Sequence, residues 1–410
     1  MMQNQTDMGA PLEYHEIADT LGLIRMPALK IGQHAARIPI VQGGMAVGIS
    51  LSGLASAVAS AGGIGVIGSA GIGMFEPDFS KNYDVASRRA LRNEIKKARQ
   101  KTQGVLGVNI MVALSDYAEM VKAAADEGID IIFSGAGLPT SLPGLIDLKG
   151  RTRLVPIVSS ARAARIICKK WLEDFGYLPD GFVVEGPLAG GHLGFKPDEL
   201  DLPDNRLEKL VPAVIQEVQA FVPIAERPIP VIAGGGIFTG ADIYKFIRLG
   251  ASGVQIATRF VVTEECDAAP GFKEAYLKAQ KEDITIIKSP VGMPGRAINN
   301  AFLGDVTAGK KKPFRCYCHC VKTCNYLESP YCIFLALVNA QKGHLSAGFA
   351  FCGANVYRLK RLTTVKKLIA SLAKGYSSAA RREFGEMLAN FLNDRMSASA
   401  SQTAQVWENR

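Results

Sequence analysis

PVIAGGGIFTGADIYKFIRLGASGVQIATRF, residues 230–260, holds one complete turn of the theme that organises the chain. Two short apolar runs, 229–232 and 253–256, flank a segment (239–250) whose apolar positions recur every three and four residues. The runs are rich in β-branched residues and barely alternate, as in strands covered on both faces, and the intervening period is that of an amphipathic helix. Each run ends in small residues, GGGI after the first and ATR after the second.

Working outward, the same theme recurs with apolar runs at 38–41, 64–67, 105–108, 129–133, 154–158 and 181–184. Helical stretches such as SRRALRNEIKKARQ (87–100) and SDYAEMVKAAADEG (115–128) lie between them. Eight such units predict an α/β fold, a (β/α)8 TIM barrel. An open doubly wound sheet is the alternative that periodicity leaves. After residue 283 the theme stops, and six of the eight cysteines and a helical finish follow. The expected organisation is an N-terminal segment (1–30), a barrel (31–283) and a smaller, mainly helical, cysteine-containing extension (284–410).

With 48% apolar and 21% charged residues, the 410-residue chain has ample material for a core. The net charge of +9 sits in the tail, where residues after 300 hold 16 Lys and Arg against 6 Asp and Glu. RLKRLTTVKK (358–367) interleaves its charges with apolar residues as a solvated helix face does, and no nucleic-acid module signature accompanies them. No apolar run of membrane-spanning length occurs and the opening segment lacks a signal-peptide pattern, so the expectation is a cytoplasmic protein bound to neither nucleic acid nor membrane.

A barrel gathers the loops leaving its strands' C-terminal ends on one face, where barrel enzymes carry their sites. Those loops contribute Gly43, Gly44 and Met45 after the first run, Asn109 after the third, Gly135 after the fourth and Glu185 after the sixth. Gly234, Gly235 and Gly236 follow the seventh, ahead of Thr239 as a helix N-cap, and Ala257 and Thr258 follow the eighth. The glycine-rich turn after strand seven exposes backbone amides to an anion, and the loops after strands seven and eight are the usual phosphate site of a barrel. Small residues and one amide elsewhere on that face suit a flat ring with a polar edge, and flavin mononucleotide (FMN) has both parts. A lone histidine is more often structural than catalytic, but in GPLAGGHLGF (186–195) His192 is framed by Gly190, Gly191 and Gly194, which leave the backbone open to close approach.

PIVQGGMA, LGVNI, GPLAGGHLG, PVIAGGGI and GVQIATRF together resemble the nitronate monooxygenase (2-nitropropane dioxygenase) family, which includes the FMN-dependent enoyl-[acyl carrier protein] reductase II. The resemblance runs from about residue 30 to 300. It implies an FMN-binding barrel with Gly43, Gly44, Met45 and Asn109 along the ring, Gly190 and Gly191 flanking the site, and Gly235, Gly236, Ala257 and Thr258 at the phosphate. His192 would be the active-site histidine. The implied reaction is oxidation of a small-molecule alkyl nitronate by molecular oxygen. The alternative is NAD(P)H-dependent reduction of an enoyl thioester, delivered by acyl carrier protein, or of a quinone. The motifs do not divide these readings, nor NADH from NADPH, nor do they fix the oligomeric state.

CYCHCVKTC adds a separate expectation. In a reducing compartment, Cys316, Cys318, Cys320 and Cys324 could hold zinc or an iron–sulfur centre, or pack as free thiols; their spacing matches neither a zinc ribbon nor a ferredoxin run.

Overall fold

The computed structural model describes residues 24–408, with side chains to residue 390. Most of the expected N-terminal segment (1–30) lies outside the described residues. Eight parallel strands, β1 (Ile40–Gln42), β2 (Gly65–Gly68), β3 (Leu106–Met111), β4 (Ile131–Gly135), β5 (Arg153–Val158), β6 (Phe182–Glu185), β7 (Val231–Gly234) and β8 (Gly253–Ile256), form one sheet. Strands β1 and β8 pair with Val41 opposite Gln255. The other edge closes where Ile64, just before β2, bridges to Val41: the Gln42 amide donates to Ile64 O and the Ile64 amide to Ile40 O, both at 2.9 Å. The barrel is therefore closed, and the open-sheet alternative is not the fold.

Val41, Val66, Phe133, Val155, Val183 and Ile232 belong to one fully buried cluster of strand residues. Each such side chain removed from water stabilises the fold by roughly 1.5–3 kcal/mol. This filling is why the runs show no polar alternation.

The helices follow local rules. Asn82 caps Tyr83–Lys101 by accepting from the Val85 amide, and Ser160 caps Ala161–Phe175, which ends at the left-handed Gly176. One unit departs from the theme. Between β4 and β5 the chain makes only a 3-10 turn, Leu142–Leu145, because Pro139, Pro143 and Gly144 interrupt a longer helix.

At the strands' N-terminal ends two buried carboxylates are fully engaged. Asp130 accepts from the Leu106 amide at 2.9 Å, from Arg99 and from Arg151, with His34 Nδ1 at 3.8 Å. Asp180 accepts from the Leu154 amide and the Tyr177 hydroxyl and forms an ion pair with Arg227 at 3.2 Å.

Two compact units make up the described chain. Residues 27–238 and 245–369 form the barrel with its additions. In these, Ile284–Lys288 pairs antiparallel with Pro294–Ile298, which in turn pairs with the short strand Gly191–His192. The helix Ile333–Gln341 follows. The other unit comprises 24–26, 239–244 and 370–408. Within it Thr239 Oγ1 accepts from the Asp242 amide and the Asp242 carboxylate from the Thr239 amide, the reciprocal cap expected of Thr239. A Cβ on Gly240 would lie 2.1 Å from Leu372 O. No helix among the described residues is long and apolar enough to cross a membrane.

Candidate functional site

The C-terminal ends of the strands open onto a cavity of about 500 Å³, within the usual range for a cofactor or ligand site. Its floor comes from the β1 and β3 loops. Gln42, buried at the end of β1, accepts from the Val66 amide and donates to Gly43 O and Ser50 Oγ, which fixes the path of Gly43, Gly44 and Met45. Gly44 runs so close to Asn109 that a Cβ there would stand 2.5 Å from the Asn109 Cβ. Gly135 and Glu185, the last residues of β4 and β6, complete this side of the lining.

At the other end of the cavity, Gly235 and Gly236 have φ of +98° and +81°. A Cβ on Gly235 would lie 2.9 Å from Gly186 O and one on Gly236 2.9 Å from the Leu188 Cβ, so glycine is required at both. Ala257 and Thr258 face the same space, whereas Gly234 is buried in β7 and does not line it. A second segment, absent from the sequence expectations, closes this end. The Gly353 amide donates to Thr258 Oγ1 at 3.1 Å, the Ala354 amide to Leu188 O, and Asn355 Nδ2 to Gly236 O at 2.6 Å. The apolar run at 349–352 and the glycine and asparagine that follow it in FCGANVYR were the signal available, but they fall after the eight-unit repeat has ended.

His192 enters from the wall. Its Nε2 hydrogen-bonds Ser289 Oγ at 2.8 Å, and its ring packs edge-on to Phe351 at 5.0 Å between centroids. The buried Arg296, opposite Gly191 in the strand pairing, donates from Nη1 to Pro187 O and Ala189 O, each at 2.6 Å. It thereby sets the course of the loop through Gly190 to His192. Burial lowers His192 to about 4, so its imidazole is neutral at pH 7. Burial also pushes Glu185 up to about 7. Ser289, Phe351 and Arg296 lie beyond the recognisable barrel motifs, and nothing in their local pattern marks them as partners of His192.

The remaining wall is apolar: Val47, Phe272, Ile333, Phe334 and Leu337. The positions expected for FMN thus surround one space, Gly234 excepted. A flat surface without side chains at Gly43 and Gly44 and a glycine cradle at Gly235 and Gly236 match the shape of a flavin ring and its phosphate.

Cys316, Cys318, Cys320 and Cys324 lie in an irregular loop packed beside this wall, with all eight cysteines of the chain as free thiols. Among the described residues, no three His, Cys, Asp or Glu side chains are grouped to hold a metal ion.

The sequence and the fold were compared with known proteins. The chain is 27% identical over 273 residues to (3aS,4S,5R,7aS)-5-hydroxy-7a-methyl-1-oxo-octahydro-1H-indene-4-carboxyl-CoA dehydrogenase of Mycobacterium tuberculosis, covering 67% of this chain and 66% of that protein. It spans 62% of the Rhodococcus jostii counterpart. A probable nitronate monooxygenase of Staphylococcus aureus is 27% identical over 305 residues, covering 66% of this chain and 77% of that one. Among solved structures, FabK from Thermotoga maritima superposes with a TM-score of 0.66 at 26% identity, covering 90% of this chain and 98% of its own. Nitroalkane oxidase from Streptomyces ansochromogenes shares the fold, with a TM-score of 0.64 at 21% identity over 85% of this chain and 98% of its own. The nitronate monooxygenase family model matches residues 28–375, and the chain belongs to that family of oxidoreductases.

Proposed function

We propose that the chain is an FMN-dependent oxidoreductase that oxidises alkyl nitronates with molecular oxygen, with His192 as the catalytic residue. The observation that carries the reading is a neutral imidazole, fixed by Ser289, facing a cavity that has only glycine at Gly43 and Gly44 on its floor and at Gly235 and Gly236 at its far end, where a ring and a phosphate would lie. Gly43, Gly44, Met45, Asn109 and Gly135 would support the ring. Gly235, Gly236, Ala257 and Thr258, with Gly353 behind Thr258, would hold the phosphate. When bound, FMN supplies the electron transfer from substrate to oxygen.

The chain's own residues handle the proton and the substrate. A neutral imidazole can take a proton from a carbon beside a nitro group or hydrogen-bond the nitronate oxygen, whereas an imidazolium could not act as base. Ser289 selects the ring orientation, and the apolar wall keeps bulk water from the reacting carbon. FMN-loaded protein should consume oxygen when propyl-2-nitronate is added; no consumption defeats this reading.

A second reading has its own observation. The wall of Val47, Phe272, Ile333, Phe334 and Leu337 is larger than a short nitronate needs and suits an apolar acyl or ring substrate. Relatives named as a carboxyl-CoA dehydrogenase and as FabK agree with it. On this reading NAD(P)H is the reductant and an enoyl thioester, on coenzyme A or acyl carrier protein, or a quinone is the acceptor. Anaerobic bleaching of bound flavin by NADH or NADPH supports it, and no bleaching by either rules it out.

A further inference from the structure

The charged stretch 358–367 reads as a solvated helix face, but the helix begins only at Val365. Arg358 instead ends a 3-10 turn, Val356–Arg358, directly after Asn355, and its amide donates to Asn355 O at 3.1 Å. The turn carries it back to the glycine end of the cavity. Its guanidinium carbon stands 4.3 Å from the centre of the Phe238 ring, and that of Arg259 stands 4.7 Å from the same centre. Arg259 is held there by Nη1, which donates to Phe238 O at 2.7 Å. Phe238 lines the cavity two residues past Gly236 and neither arginine does, so the two charges flank this end of the cavity from outside it.

Nothing on the chain balances them. Among the described residues neither arginine forms an ion pair with a carboxylate, and Arg259 Nη1 is the only nitrogen of the two guanidiniums with a hydrogen bond. Burial, and after it the charge of Arg358, holds Arg259 below its ordinary value. The guanidinium is a planar fork of five donors that matches phosphate oxygens two at a time, so this pair has most of its donors still to offer. Arg358 is exposed, and Leu188, which lines the cavity beside Gly236, is 48% exposed, so the cavity opens to solvent next to the pair.

We propose that Arg259 and Arg358 form a second anion site, which takes the diphosphate of an adenine nucleotide while the rest of that molecule enters the cavity past Leu188. The inner cradle at Gly235 and Gly236 offers backbone to one phosphate, whereas the outer pair offers two full charges, as a diphosphate diester requires. Two charges at the rim of a cavity suit a small dianion rather than a long polyanion. NAD(P)H and coenzyme A thioesters both carry an adenine nucleotide diphosphate. The inference deepens the second reading above and rests on FMN occupying the inner cradle.

The test is calorimetric titration of the FMN-loaded chain with ADP, with NADH, NADPH and coenzyme A then added as competitors. ADP should bind about tenfold or more tighter than inorganic phosphate. Arg358→Gln should weaken ADP by about tenfold, Arg358→Glu should abolish its binding, and Arg358→Lys should restore part of it, with FMN content the same in all. Arg259→Gln should act as Arg358→Gln does; if it fails to fold, the exposed Arg358 decides alone. The competitor that displaces ADP identifies the source of the diphosphate, a nicotinamide reductant or a thioester. ADP held no tighter than inorganic phosphate, unchanged ADP affinity in Arg358→Gln, or displacement by none of the three competitors overturns the proposal. FMN content is read by absorbance: a chain without flavin fails the FMN reading, whereas bound FMN with no ADP binding fails only this one.

Discussion

The two ends of the barrel treat charge in opposite ways. At the N-terminal ends of the strands, Asp130 and Asp180 are each 2% exposed or less and are surrounded by arginines and backbone amides. At the C-terminal ends, Glu185 has no ion-pair partner among the described residues and sits where burial pushes its carboxyl up, while His192 is hydrogen-bonded by the Ser289 hydroxyl and pushed down. A buried charge that is paired supports the fold, and one left unpaired keeps a proton within reach of a substrate. On the proposed reading, the difference puts the chemistry at the C-terminal ends of the strands.

The contrast can be broken by substitution. His192→Ala should lower kcat/KM by about 10²–10⁴-fold with little change in thermal midpoint; an effect under tenfold would remove His192 from the reaction. Asp130→Ala should do the reverse, costing about 2–4 kcal/mol in a denaturant titration and leaving FMN affinity unchanged. The figure is set below that of a fully buried pair because the Arg151 side chain is 56% exposed.

Glu185→Gln sharpens the comparison through pH. Because the folded carboxyl lies near 7, above its ordinary value, the unfolded chain ionises first and stability is lost as pH rises from about 4.5 through 7. The variant should therefore gain on the order of 1 kcal/mol over the parent at pH 8, and an ionisation near pH 7 should vanish from its rate profile. His192 has the opposite sign: stability falls as pH drops from about 6.5 through 4. The smallest effect is expected from Ser289→Ala, about 1 kcal/mol or roughly fivefold in kcat, with KM unchanged.

Legibility divides along the chain as well. All eight strands could be read because a parallel barrel strand is apolar on both faces, and their ends then placed Gly44, Asn109, Gly235 and Thr258 near one another. The 3-10 turn after β4 was less visible, since a repeat of eight units suggests eight helices until Pro139 and Pro143 are weighed. The cavity's remaining wall was hidden for a different reason. Ser289, Arg296, Phe351 and Asn355 act through contacts across a hundred residues or more, as between Arg296 and Pro187 or Asn355 and Gly236, and no local period records such a pairing. Gly234, expected at the site from its neighbours, is instead the glycine that ends β7.

The hydrogen bonds of Gly353 and Asn355 to Thr258 and Gly236 also order events in time. During synthesis the eight strands leave the ribosome long before residue 355 does, so a nascent barrel can close while the end of its cavity at Gly235 and Gly236 still lacks one side. On the proposed FMN reading, tight capture of the cofactor's phosphate is then a late step of maturation, and a chain stopped between residues 300 and 350 would have its strands but only a loose hold on that group.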